Sequence, residues 1–230
     1  MSTAYGRRAA LQKGLFLFAT PAFAQGAAPG NAQGIPQGGS PVRLLALGDS
    51  LTAGYGLPRG DGFVPRLQEA LVAAGRQVRV INAGVSGDTM AGGLARLDWA
   101  LAERPQAAIV ALGANDGLRG LPPPRMAEAL ESILSRLEAR RIPVLLAGML
   151  APPNLGGDYG RAFEAVYRDA VAKRPDLIFY PFFLDGVAAD RALNQADGIH
   201  PNQAGVAELV RRILPVTEQL LDRVPPAAAG

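Results

Sequence analysis

"LLALGDSLTAGYG", residues 44–56, decides how this chain is read. A run of apolar residues stops at Gly48. Asp49, Ser50 and two further glycines follow. An uninterrupted apolar run is what a parallel strand covered on both faces shows, whereas a strand with one wet face alternates. A turn accounts for the glycines. It does not account for a serine placed at the end of a buried strand.

The same grammar recurs along the chain. "VRLLAL" (42–47), "QVRVIN" (77–82), "AAIVAL" (107–112), "PVLLAG" (143–148) and "LIFYPF" (177–182) read as five buried strands. Helical patterns separate them. In 63–75, Leu67, Leu71 and Val72 form one apolar face and Gly75 supplies the stop. Others cover 89–103, 124–140, 160–173 and 203–221, the last interrupted by Pro215. Regular strand–helix alternation predicts an α/β fold: a three-layer α/β/α sandwich around a five-stranded parallel sheet. No internal repeat or second composition regime follows residue 40, so one domain is expected over 41–222.

Composition narrows the chemistry. The chain has 230 residues, 49% of them hydrophobic, and no cysteine. That excludes thiol nucleophiles, disulfides and thiolate metal sites. His200 is the only histidine, so a multi-histidine metal site is excluded and all imidazole chemistry falls to one residue. The formal charge of +3 resides in Arg7, Arg8 and Lys13; without them the chain is formally neutral. Neutrality gives no reason to expect nucleic acid as a partner. Residues 1–24 read as a signal peptide, with Arg7 and Arg8 before "LFLFA" and small residues "AFA" at 22–24, and "RRAALQK" loosely like a twin-arginine signal. A periplasmic or secreted location is expected, with no stable membrane insertion. Residues 25–40, rich in Gly, Gln and Pro, read as a flexible leader, and 223–230 as a tail.

In a doubly wound sheet, ligands bind beyond the C-terminal ends of the strands. The loops there carry Asp49 and Ser50, then Gly84 and Ser86, then Asn115 and Asp116, and finally Asp197 and His200. A serine hydroxyl attacks only when a base removes its proton. Ser50 has the stiff mount this requires, although a helix N-cap explains a serine there equally well. Ser86 in "GVSGD" is the rival, one glycine short of a nucleophile elbow. His200 is the only imidazole base available. Asp197, three residues earlier, is placed to fix its tautomer; Asp116 is an alternative and Asp49 a poorer one. Pro201 suits a first helical position, which makes the same segment a plain helix start. Donors for an oxyanion are on offer from the Ser50 N–H, the Gly84 N–H and the Asn115 amide.

Taken together, "GDSL" (48–51), Gly84 in "NAGVSGDT", "GAND" (113–116) and "DGIHPN" (197–202) resemble the four signature segments of the SGNH (GDSL) hydrolase superfamily, in order and across the whole domain. "SGDTMAGGLARL" and "ANDGLRG" are similar to the bacterial arylesterase/thioesterase I/lysophospholipase branch. The resemblance implies a flavodoxin-like fold and an acyl-enzyme esterase with Ser50 as nucleophile, His200 as base, Asp197 as its orienter, and Ser50 N–H, Gly84 N–H and Asn115 as the oxyanion hole. It implies no cofactor and no metal, and a small-molecule ester as substrate. Ala114 departs from the pattern, where glycine is usual.

For the acyl or aryl group, Leu118, Leu121, Met149, Leu150 and Ile199 are the expected apolar lining. "DGLRGLPPP" is expected to act as a lid hinged on Gly117 and Gly120. An exported enzyme would not meet acyl-CoA, which favours aryl esters, short acyl esters or lysophospholipids. Two other readings compete. "GYGLPRG" approaches a dinucleotide-binding fingerprint, but its last glycine comes one position late. A catalytically silent lipid- or carbohydrate-binding module would keep the fold and lose the chemistry.

Overall fold

The computed structural model describes residues 40–225. The expected signal peptide, nearly all of the leader and the last five residues of the tail lie outside the described residues.

Five parallel strands form one sheet in the order β2-β1-β3-β4-β5. They are β1 (Val42–Gly48), β2 (Val78–Gly84), β3 (Ala107–Ala111), β4 (Val144–Ala147) and β5 (Ile178–Tyr180). Every residue of β3 and β4 is buried. Alternate residues of a strand face opposite ways, so both faces of the sheet are covered, as the unbroken apolar runs predict. β1 lies between β2 and β3, and Gly48 pairs with Gly84 on one side and Ala111 on the other. The chain therefore turns one way after β1 and the other way after β2, which opens a crevice at the C-terminal end of β1.

The helices are α1 (Ser50–Ala53), α2 (Phe63–Ala73), α3 (Met90–Ala95), α4 (Leu97–Leu101), α5 (Ala114–Leu118), α6 (Pro123–Glu138), α7 (Gly157–Ala172) and α8 (Gln203–Asp222). α2 packs on α8, and α6 packs on both α3 and α7. Leu67 and Leu71 are buried beneath α2, but Val72 is exposed. It follows Leu71 by one position, about 100° around the helix, and so leaves the buried stripe. α8 continues through Pro215.

Two sequence expectations are corrected here. The helix expected over 89–103 is two helices broken at Arg96, whose side chain is drawn inward to Asp88 and to the carbonyl of Gly48. Pro201 is not the first residue of α8. It forms an antiparallel bridge with Asn194, and Asn202 caps the helix by accepting from the Gly205 N–H at 3.0 Å.

Candidate active site

Ser50 opens α1, a single turn directly after β1. Asp49 is the N-cap: its Oδ1 accepts from the Leu51 N–H at 3.0 Å. That removes the capping explanation for Ser50, whose own N–H precedes the helical bonding pattern. A side chain at Gly48 would lie 1.9 Å from Thr52 Oγ1 and 2.8 Å from the Ala111 carbonyl, so only glycine lets the chain turn this tightly off the strand.

The far end of the chain returns to meet this turn. His200 Nε2 lies 2.9 Å from Ser50 Oγ, and His200 Nδ1 lies 2.7 Å from Asp197 Oδ2. A carboxylate only accepts, so Nδ1 carries the proton and Nε2 is left to receive the serine's. Asp197 Oδ1 accepts from the N–H groups of Ile199 (2.9 Å) and His200 (3.0 Å). These backbone bonds, with the imidazole bond behind them, hold the Asp197 carboxyl down at about 2. The Asp197–His200 pair is thus assembled within one turn. Gln195 ties that turn to the serine loop: its Nε2 donates to the Tyr55 carbonyl at 2.8 Å and to the Pro201 carbonyl at 2.9 Å. The Tyr55 ring lies 4.6 Å from the imidazole, centroid to centroid.

The other acids do different work. Asp116 is buried and accepts from the Met90 N–H at 2.8 Å. It does not reach His200. Asp49 is fully buried, and burial pushes its carboxyl up to about 6 against the pull of the Leu51 N–H and of nearby His200. Ser86 is exposed and has no side-chain partner among the described residues.

One of the expected oxyanion donors already has an acceptor. The Gly84 N–H is already given to its neighbour Asn82 Oδ1 at 2.9 Å. Gly84 is a glycine for another reason: a Cβ there would lie 2.3 Å from the Ala53 nitrogen, so its absence lets α1 lie against β2. The Gly87 N–H, in the left-handed region at φ 85°, has no acceptor among the described residues, nor has that of Ser86 before it. Asn115 Nδ2 donates to the Asp88 carbonyl at 3.0 Å, which fixes this amide beside the Asp88–Thr89 peptide. Its second contact, to Asp49 Oδ2 at 3.4 Å, is long for a hydrogen bond and easily exchanged. Sequence offered two glycines in one loop and no local signal to separate them.

The expected apolar lining divides. Leu118, at the end of α5, and Leu150, Ile199 and Tyr55, outside the helices, are exposed, while Leu121 is half-buried. Met149 is buried in the core and does not line an open groove. The expected lid is tethered. Gly117 sits inside α5 against Pro152 and Phe163. Tyr159 Oη donates to the Leu121 carbonyl at 2.8 Å, and Arg119 Nη2 donates to the Gly87 carbonyl at 2.8 Å. The clefts between α6 and α7 and around Arg141, Pro143 and Arg174 contain none of the groups above. No group of histidine and acidic side chains suited to a metal ion occurs among the described residues.

Comparison with known proteins shows the family. Residues 46–207 match the GDSL-like Lipase/Acylhydrolase family. Esterase TesA of Pseudomonas aeruginosa is 44% identical over 179 residues, which cover 77% of this chain and 89% of that protein. Thioesterase 1/protease 1/lysophospholipase L1 of Escherichia coli is 39% identical over 161 residues, 70% of this chain and 76% of that protein. The crystal structure of TesA superposes with a TM-score of 0.73 at 42% identity, covering 77% of this chain and 99% of that one.

Proposed function

This chain belongs to the GDSL-like lipase/acylhydrolase family and is a serine esterase, and we propose that it cleaves aryl and short- to medium-chain acyl esters through an acyl-enzyme on Ser50. One observation carries the residue assignment: an unbroken line from Ser50 Oγ through His200, 2.9 Å from Nε2, to Asp197, 2.7 Å from Nδ1.

In this reading His200 Nε2 takes the Ser50 proton as Oγ bonds to the ester carbonyl carbon. Asp197 holds the ring and stabilises the imidazolium. The carbonyl oxygen becomes an oxyanion, which receives the Ser50 N–H, the Gly87 N–H and the loosely held Asn115 N–H. Such donors are aimed before reaction and so cost no reorganisation during it. Collapse breaks the bond to the leaving group, which departs with the proton from His200. Water then gives a proton to His200 and its oxygen to the acyl carbon, releasing the acid and restoring Ser50. Leu118, Leu150 and Ile199 are the apolar side chains open to an acyl or aryl group, and thioesters and lysophospholipids share the required carbonyl.

The reading extends to location. Residues 1–24 direct export and 41–222 form the hydrolase domain; the basic and apolar pattern before "AFA" supports the first and the end of α8 at Asp222 the second. No helix among the described residues is long and apolar enough to cross a membrane.

The test is hydrolysis of p-nitrophenyl acetate by the wild type beside Ser50→Ala, His200→Ala and Ser86→Ala. Loss of a nucleophile or its base lowers kcat by about 10⁶ in a serine hydrolase. Loss confined to Ser86→Ala would refute the assignment. A panel of acyl chain lengths, thioesters and lysophospholipids then ranks substrates.

A further inference from the structure

Arg96 breaks a helix and leaves the solvent to reach the underside of the site. Its side chain is only 17% exposed. Nε donates to Asp88 Oδ2 at 2.5 Å, and Nη2 donates to the Gly48 carbonyl at 2.8 Å. Gly48 also accepts from the Val85 N–H at 3.1 Å, and the Asp88 N–H returns to the Val85 carbonyl at 3.1 Å. The Asp88 carbonyl receives Asn115 Nδ2 at 3.0 Å. One planar guanidinium therefore fastens together the end of β1, the loop after β2 and, through Asp88, the start of α5.

Each of these segments carries one proposed oxyanion donor. Ser50 follows Gly48 by two residues, Gly87 precedes Asp88 by one, and Asn115 is held on Asp88 itself. Arg96 makes these links at a cost. Its Nη1 is buried with no partner among the described residues. A buried polar group without a hydrogen bond is destabilising.

We propose that Arg96 is a positioning residue that sets the spacing of the oxyanion donors in ester hydrolysis. It touches neither substrate nor Ser50. This inference rests on the acyl-enzyme reading above. Lysine does not replace it, because an ammonium is a point charge without the two-pronged planar reach.

The test uses the full chain with Arg96→Lys, Arg96→Ala and Asp88→Asn, and Ser50→Ala alongside. Misplacing donors by a fraction of an ångström up to about 1 Å lowers kcat by about 10- to 100-fold. KM for p-nitrophenyl acetate stays within about twofold, because ground-state binding is untouched. Affinity for an aryl boronic acid, which forms a tetrahedral adduct on serine, falls in parallel with kcat. Low, non-denaturing guanidinium chloride restores part of the kcat of Arg96→Ala. If Arg96→Ala does not fold, Arg96→Lys and Asp88→Asn decide the matter. A folded Arg96→Lys with wild-type kcat, or a loss of kcat unaccompanied by loss of boronate affinity, overturns the inference. Turnover by Ser50→Ala would instead refute the acyl-enzyme reading, whatever Arg96 does.

Discussion

Asp49→Asn is expected to make the protein more stable at pH 8 and a poorer catalyst. Asp49 is fully buried, and burial raises its carboxyl from 3.8 to about 6. A pKa higher by one corresponds to about 1.36 kcal/mol, so a rise of roughly two makes the charged form cost about 3 kcal/mol of folding stability. The sign follows from proton binding. The folded state holds this proton more tightly than the unfolded chain, so the contribution of Asp49 is most favourable below pH 3.8 and is lost as pH rises through about 6. Asparagine has the same shape, no charge, and an oxygen that still accepts from the Leu51 N–H. It also turns an amide toward Asn115, which now meets Asp49 Oδ2 at 3.4 Å. Losing that acceptor returns about 1 kcal/mol. The net expectation is a gain of about 1–2 kcal/mol at pH 8 and none, or a small loss, at pH 3.5. Urea unfolding of wild type and variant at both pH values measures it, since titrations common to both proteins cancel in the difference. The kcat is expected to fall, because His200⁺ loses a buried countercharge. A stability difference that is the same at both pH values would refute the reasoning.

Two further substitutions probe the mounts of the site. Gly84→Ala places a methyl 2.3 Å from the Ala53 nitrogen, and backbone must move; overpacking of this kind costs about 1–3 kcal/mol, read as a lower Tm with reduced kcat because α1 carries Ser50. An unchanged Tm would show that α1 does not press on β2. Gln195→Ala removes both bonds from its amide to the Tyr55 and Pro201 carbonyls; about 1–3 kcal/mol of stability and roughly tenfold in kcat should go with them, measured by thermal unfolding and steady-state kinetics.

The fold was legible because its signals are local and mutually consistent. Strands such as "AAIVAL" are apolar throughout because both faces are covered, and each run stops within two residues of the observed strand end. That Ser50, Asn115, Asp197 and His200 lie beyond the C-terminal strand ends follows from topology alone. What escaped depends on tertiary partners. No pattern in "LARLDW" announces that Arg96 will turn inward and split a helix. "HPNQ" contains two competing helix-start signals, Pro201 and Asn202, and the bridge to Asn194 decides between them. A glycine needed so that two backbones can touch, Gly84, looks the same in sequence as one that leaves an N–H unclaimed, Gly87. Met149 and Leu150 are adjacent apolar residues, and only packing reveals that one is interior and the other is wet.

The turn from Asp197 to His200 closes on itself through backbone bonds, so acid and imidazole travel as one preassembled cartridge. Tertiary structure has a single gap left to adjust, between that cartridge and the alcohol on α1. On warming, turnover should therefore fail by widening of this one gap while the acid–imidazole dyad is still intact. Clamping the two mounts together is then the direct route to heat tolerance, ahead of any reinforcement of the sheet.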